Sequence, residues 1–485
     1  MGLVFPALLK WIGREQRSLG TDVGTLYAVN TASSVLGAFV AGFVLIATIG
    51  VNTGLLLLAA LYGATSLLLV SSKPARLVSG LVVMVIAGLV LNPEIRAPRY
   101  WYNGGFTQAF AVPEANTAFL EEGVTATVGI VQNGSERQLT VNGVIVAQTK
   151  EHDLWDLLSK AHLPMLIHPN PKRVALVGLG AGVSLGAVEK YDVDVLDCIE
   201  ISPEVVRACR LFERVNQDCL ADPRLNLILN DGRHFLETTD KEYDVINVDP
   251  TDPPVCPLYT QDFFHACKNR LADGGLMVQW VPVFRLSPDN IAIVFNAFLQ
   301  EFSSTSIWYN GTAALLIGRK GGPISINLQR FIARANSPGV RESLALIGNP
   351  DPWMLLAMYV GDASKFLEQH TAPIPENTDD RPFLEYTVLR SPDAMRAKEY
   401  WTLKMLAGLG TPIERVLDPG AVVPSFQTEF YRMRTITNSF FSARLRLFEG
   451  NNQEARALVE RTITGLKVTP EELRCLDHFY SLGVQ

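Results

Sequence analysis

The chain has 485 residues, 42 Lys+Arg against 49 Asp+Glu, and a formal net charge of −7. Charged residues make up 19% and apolar residues 48%, so the charged fraction falls below the roughly 25% of ordinary soluble proteins. This balance excludes a disordered acidic chain and argues against a nucleic-acid partner, and the length predicts two or three folded units. The charge deficit is local. From Val23 to Ser72, fifty residues pass without one Asp, Glu, Lys, Arg or His.

A hydrocarbon core of about 30 Å takes roughly 20 apolar helical residues, so this stretch predicts two spans. They fall near Asn30–Gly50 and Thr53–Ser71, with the turn at Val51 and Asn52. A third, shorter apolar run, Leu77–Leu91, ends at Asn92-Pro93. Ala32, Ser33, Gly37, Ala41 and Gly42 suit close helix packing in lipid. Residues 1–95 therefore read as two or three transmembrane helices of an integral protein of the cell (inner) membrane, with the lipid bilayer as a partner. A secretory signal peptide does not fit, because the first 22 residues carry Lys10, Arg14, Glu15, Arg17 and Asp22. The positive-inside rule puts Lys10, Arg14 and Arg17 in the cytoplasm together with Lys73 and Arg76. A crossing third run would then export everything past Pro93. Three solutions stay open: the run does not cross, further spans precede it, or the large domain faces outward. A cytoplasmic catalytic domain is the expectation carried forward.

Residues 96–122 read as a connector, with Tyr100, Trp101, Tyr102 and Phe106 suited to a membrane interface. Residues 123–150 read as a β-hairpin region, its strand-like runs Thr125–Val131 and Gln138–Gln148 separated by the turn signal Asn133-Gly134. Residues 151–320 follow a doubly wound, Rossmann-like α/β pattern of the S-adenosylmethionine-methyltransferase kind. It opens with a helix over Leu154–Leu163, then an apolar strand at Val174–Val177 running into Gly178-Leu179-Gly180-Ala181-Gly182. A second strand, Val193–Ile199, ends at Glu200, and Ser202-Pro203-Glu204 starts a helix expected to reach Val215. Leu225–Leu229 and Val245–Val248 are strands ending before Asp231 and Asp249. Gly275–Val281 is a fifth strand and Ile291–Phe302 a helix. Past Lys320 the pattern weakens into a small, mostly helical region, 321–485, in which Asp379-Asp380-Arg381-Pro382 is a turn and Phe426–Ile463 and Pro470–Leu482 are helical.

Acidic residues thus stand at three successive strand ends, where open α/β sheets bind ligands. Glu200 lies 22 residues beyond Gly178, close to the spacing of a carboxylate that grips ribose hydroxyls. A dinucleotide turn would place a third glycine where Val183 stands. Gly-x-Gly-x-Gly fits an S-adenosyl ligand better, because no pyrophosphate needs a cradle. Asp231-Gly232 at the next strand end strengthens an adenosyl site. His152, His162 and His168 meet no carboxylate or Cys spacing that completes a metal site. The six cysteines form no CxxC pair and read as reduced core thiols. Trp280 and Phe284 either line a ligand pocket or pack the core.

From about Gly123 to Ile317 the chain resembles the polyamine aminopropyltransferases, the spermidine synthase family. The residues that carry the resemblance are Val141-Asn142-Gly143, Leu163-Pro164, His168-Pro169-Asn170-Pro171-Lys172-Arg173, the glycine turn, Glu200, Asp231-Gly232, Asp249-Pro250-Thr251-Asp252-Pro253 and Leu258-Tyr259-Thr260-Gln261-Asp262-Phe263-Phe264. Gly20, Gly24, Leu26-Tyr27-Ala28 and Asn30-Thr31, with Asn377-Thr378-Asp379-Asp380-Arg381-Pro382, resemble its membrane-fused branch, whose members usually carry more spans ahead of this point.

The resemblance implies transfer of an aminopropyl group from decarboxylated S-adenosylmethionine, a co-substrate rather than a resident cofactor, to a diamine or polyamine, with release of methylthioadenosine. It assigns Asp249 as proton acceptor and Asp252 and Tyr259 to the acceptor amine. Glu200 goes to the ribose and Asp231 to the adenine, while Gly178, Gly180, Gly182 and Gly232 make room for the nucleoside. It also implies a homodimer. The chemistry agrees: a primary amine with a pKa near roughly 10.4 is mostly protonated at neutral pH, and a positioned carboxylate can take its proton as the new bond forms.

Three departures stand out. The family's Asp in the glycine turn is Ala181 here, which weakens selection for the decarboxylated donor. The Tyr-(His/Gln)-Glu element is replaced near Trp155-Asp156-Leu157-Leu158, and the hairpin's Tyr-Gln pair by Thr127-Val128. An S-adenosylmethionine-dependent methyltransferase and a non-catalytic membrane protein that binds a polyamine or nucleoside are the alternatives.

Overall fold

The computed structural model describes residues 19–69, 78, 80–85, 88–89, 117–250, 257–284, 286–387, 392–420 and 426–480. The chain divides into two compact units, 1–128 and 129–485.

In the first unit a helix Leu19–Phe39 continues through a π-helical turn, Val40–Leu45, into a helix Ile46–Leu69. Two stretches, Val23–Leu45 and Thr48–Thr65, are long and apolar enough to cross a bilayer. The break falls at Gly50, whose φ of 75° and ψ of 168° leave the helical region. The sequence placed it one residue later, at Val51 and Asn52. Val35, Leu36 and Phe39 present large apolar side chains outward. Most of the expected connector and part of the third apolar run lie outside the described residues. The unit also contains strand β1, Thr117–Glu122.

From Thr127 onward come β2 (Thr127–Asn133), which runs through the unit boundary, β3 (Glu136–Val141) and β4 (Val144–Gln148), neighbours in that order. The run expected as one strand, Gln138–Gln148, is itself a hairpin. Asn142 and Gly143 both take positive φ, 51° and 78°, the conformation of a two-residue type I′ turn.

The main sheet has eight strands: β5 (Arg173–Val177), β6 (Val195–Glu200), β7 (Leu225–Leu229), β8 (Tyr243–Val248), β9 (Leu271–Pro282), β10 (Thr305–Tyr309), β11 (Ala313–Arg319) and β12 (Tyr359–Asp362). Their order is β12-β10-β11-β9-β8-β5-β6-β7. β9, β8, β5, β6 and β7 run parallel, and β11, β10 and β12 add antiparallel. The doubly wound expectation therefore holds for five strands. The sheet is mixed because Asn310-Gly311 turns β10 back into β11, and because β12, from the region expected to be helical, joins beyond β10. Val174, Leu176, Leu196, Val245, Ile246 and Val278 are buried, as unbroken apolar runs in a sheet covered on both faces should be.

The helix before β5 runs Glu151–Ile167, longer than expected, and carries Pro164 inside it. A proline cannot donate to the carbonyl four residues back, here Lys160. The Asn247 side-chain amide of β8 donates to that carbonyl instead, at 3.0 Å. The helix is thereby pinned to the strand that ends at Asp249. Ser202 caps its helix as expected, accepting from the Val205 N–H. The helix stops at Cys209, however, and Arg210–Phe212 and Glu213–Asn216 follow as separate turns. At the C-terminal end the run expected as one helix, Phe426–Ile463, divides at residues 449–451 into Tyr431–Phe448 and Asn452–Gly465, and a last helix follows at Pro470–Tyr480. Cys198, Cys209, Cys219, Cys267 and Cys475 are free and buried.

Candidate functional site

The strand order fixes the site. β5 carries the first parallel strand end; β6 and β7 extend the sheet to one side, and the chain then crosses to β8 on the other. Such a switch point opens a crevice at the carboxyl ends of the strands. Along that edge Asp249 follows β8, Gly178 follows β5, Glu200 ends β6 and Asp231 follows β7. Three strand spacings separate the outer pair, roughly 14 Å, room for a nucleoside and a short chain.

Backbone bonds tie the ends together: Asp249 N–H to Val177 O at 3.1 Å, Gly178 N–H to Ile199 O at 2.9 Å, and Asn230 N–H to Glu200 O at 3.1 Å. Gly178 has φ of 100°, and a Cβ there would lie 2.9 Å from the Asp249 carbonyl oxygen. Gly182, at φ 79°, starts the helix Val183–Val188, and an added Cβ would strike the Sγ atoms of Cys219 and Cys209 at 2.6 and 2.7 Å. A Cβ at Gly180 would meet no atom within 4 Å, whereas one at Gly232 would run into Val177 Cγ1 at 2.3 Å. Gly178, Gly182 and Gly232 thus serve close packing around the turn.

The Glu200 carboxylate is buried and braces this turn. Its oxygens accept from Leu179 N–H at 3.0 Å and Ser202 N–H at 2.9 Å. Burial raises its pKa, opposed by those backbone donors. Asp231 is exposed and caps the helix Gly232–Thr238 by accepting from His234 N–H at 2.8 Å. Ala181 is buried in the turn, its carbonyl bonded to the Asn216 side chain at 2.9 Å.

On the other side of Asp249 lies a polar cluster that the sequence pattern did not assemble. Lys160 is 1% exposed. Its Nζ lies 2.5 Å from Asp249 Oδ2 and 3.8 Å from Asp156 Oδ2. Asp156 accepts from Trp280 Nε1 at 3.1 Å, Asn310 Nδ2 at 2.5 Å and Thr312 Oγ1 at 3.3 Å. The Lys160 ammonium also stands over the Trp280 ring, 5.9 Å from its centre. Burial raises the Asp249 carboxyl above its ordinary value while the Lys160 charge opposes the rise. One signal could have revealed this cluster: Lys160 is the lone Asp, Glu, Lys or Arg in Leu157–Ile167 and stands four residues after Asp156, the spacing that puts two side chains on one helix face.

Tyr259 is buried and donates its hydroxyl to Trp280 O at 3.0 Å. Asp252 and Cys256 lie outside the described residues. Two motifs read separately in the sequence prove to be one structure. Asn377 Nδ2 bonds Tyr259 O at 2.8 Å, Thr260 Oγ1 bonds Asp379 Oδ1 at 2.8 Å, and Arg233 pairs with the same Asp379 carboxylate. The late turn therefore clamps the segment after β8. His162, noted in the sequence, is a core residue. Its ring bonds Tyr191 and Ser343 at 2.8 and 3.0 Å, and burial lowers its pKa to about 3.

An open α/β sheet with a glycine turn and a row of carboxylates at its switch point places the second unit among the Rossmann-like α/β proteins. The spermine/spermidine synthase domain matches residues 159–306. A polyamine aminopropyltransferase of Thermococcus kodakarensis is 30% identical over 250 residues, covering 47% of this chain and 84% of the relative. Polyamine aminopropyltransferase 1 of Pseudomonas aeruginosa is 38% identical over 149 residues, 29% of this chain and 51% of that protein. A spermidine synthase structure from Thermotoga maritima aligns with a TM-score of 0.44 at 20% identity, covering 52% of this chain and 88% of its own. The chain belongs to the polyamine aminopropyltransferase, or spermidine synthase, family.

Proposed function

We propose that the chain is a membrane-anchored aminopropyltransferase that uses decarboxylated S-adenosylmethionine and a diamine or polyamine. The observation that carries the reading is the Asp249 carboxylate at the end of β8, beside the glycine turn. The acceptor nitrogen attacks the aminopropyl carbon, the C–S electrons return to sulfur and methylthioadenosine leaves. The proton displaced from nitrogen goes to Asp249. A sulfonium leaves as a neutral thioether, so no acid is required. Glu200 and Asp231 serve the ribose and adenine, Gly180 and its neighbours leave room for the nucleoside, and Asp252 and Tyr259 serve the acceptor.

The test is release of methylthioadenosine by detergent-solubilised protein supplied with the decarboxylated donor and a panel of amines. No release with any amine would overturn the reading. The base acts ionised, and burial raises its pKa. Its acid limb in kcat/KM is therefore expected above the roughly 3.9 of an ordinary Asp, with the rate rising as pH rises through it. An acid limb at or below that value would count against Asp249 as the base. Ala181 favours one second reading, transfer of a methyl group from intact S-adenosylmethionine, recognised by S-adenosylhomocysteine as the product.

The two apolar helices of the first unit support anchoring in the cell membrane, as in the family's membrane-fused branch. In this proposal the third apolar run does not cross; two spans then return the chain to its starting face, and Lys10, Arg14, Arg17, Lys73 and Arg76 share the cytoplasmic side with the catalytic domain. On that face the domain meets its metabolites. A homodimer is part of the same proposal.

A further inference from the structure

An acceptor amine bound for reaction must bring its nitrogen to Asp249. In this chain a buried ammonium is already there. Lys160 Nζ lies 2.5 Å from Asp249 Oδ2, the position an acceptor's own ammonium would take. Its place is fixed from several sides: Pro164 leaves the Lys160 carbonyl to Asn247, Asp156 draws the ammonium from one turn back, and the Trp280 ring lies beneath it. Asp156 is in turn held by Trp280, Asn310 and Thr312. Asp153, a turn earlier, has its carboxyl pushed up to about 7, chiefly by burial. With Asp156 and Asp249 ionised, the three groups Lys160, Asp156 and Asp249 carry one net negative charge, where the two carboxylates alone would carry two.

We infer that Lys160 is a specificity-determining residue that selects the acceptor by charge. It occupies one oxygen of Asp249 and repels a second ammonium. The reacting end of the acceptor site therefore takes an amine of low positive charge in preference to a compact dication. The inference rests on the aminopropyl-transfer reading above.

The test compares butane-1,4-diamine with n-butylamine, which share a chain length and differ by one charge. Each is titrated by calorimetry into the solubilised full chain in the presence of methylthioadenosine, and each is assayed for methylthioadenosine release. Lys160→Met keeps the stem and removes the charge. Asp156→Asn with Lys160→Met also keeps the net charge of the cluster at −1, guarding against a fold weakened by two facing carboxylates. Removing a like charge a few ångströms away is expected to raise the diamine-to-monoamine affinity ratio by about tenfold or more in Lys160→Met, and in the same direction by a smaller factor in the double variant, where loss of the Asp156 charge offsets part of the gain. The KM for the diamine falls more than kcat changes. A purely structural lysine would weaken both amines alike, so a ratio unchanged within about twofold in both variants overturns the inference. The two readings fail separately. A shifted ratio without release by wild type sinks aminopropyl transfer and leaves charge selection standing; release with an unshifted ratio does the reverse.

Discussion

Replacing Asp249 with asparagine is expected to lower kcat on the order of a thousandfold, within the range for loss of a general base, while methylthioadenosine still binds. The amide matches the carboxylate in shape and cannot accept the amine proton. What Asp249 gives the nucleoside side is backbone: its N–H bonds Val177 O, and its carbonyl faces Gly178. Neither changes in Asp249→Asn. Stability follows from the sign of the pKa shift. A carboxyl raised on folding binds its proton more tightly in the folded state, so its contribution becomes less favourable as pH rises from the ordinary carboxylate value through the raised one. Removing the charge relieves that cost, although Lys160 is left with Asp156 at 3.8 Å as its ion-pair partner among the described residues. Methylthioadenosine release and calorimetric binding on the same preparation decide the matter. Turnover within tenfold of wild type would remove Asp249 from the chemistry.

The second large effect is on folding. Gly182→Val is expected to cost about 3 kcal/mol or more, adding left-handed backbone strain to overpacking against fixed neighbours. The φ of 79° excludes a β-branched residue comfortably, and the new Cβ would collide with Cys219 and Cys209 and press Asn216 Nδ2 at 3.1 Å. Those partners cannot step aside: Asn216 Nδ2 already bonds the Ala181 and Cys209 carbonyls at 2.9 Å. Denaturant melts of the second unit's signal in the full chain should show a lower midpoint together with lost nucleoside binding. An unchanged midpoint would mean that the turn is far more pliant than its packing indicates.

The parallel half of the sheet was legible because its strands are short apolar runs closed by glycine or acid. The antiparallel half was not, although the same turn signal was present. Asn133-Gly134 announced one hairpin, while Asn310-Gly311 passed unread because apolar residues from Thr305 to Ile317 show no alternation when both faces are covered. Asn142-Gly143 was noted as part of the resemblance and not as a turn, so β3 and β4 merged. On the site, Asp249, Glu200 and the glycines could be placed at strand ends from spacing alone. The ammonium beside Asp249 could not, since Lys160 and Asp249 stand 89 residues apart in sequence. Their meeting depends on Pro164 and Asn247, a pairing no local pattern encodes. Asp379 and Thr260 met for a similar reason, 119 residues apart.

Strand β12 carries its own consequence for how the protein is made. It pairs with β10 through Ser306–Asp362, Ile307–Gly361 and Trp308–Tyr359, yet it is synthesised after every other strand of that sheet. Until Asp362 has left the ribosome, β10 presents an unpaired backbone row flanked by Ile307 and Trp308, the kind of edge that recruits strands from neighbouring molecules. The late segment thus acts as an intramolecular guard against aggregation, and a chain arrested or cleaved near Lys320 would lose that protection.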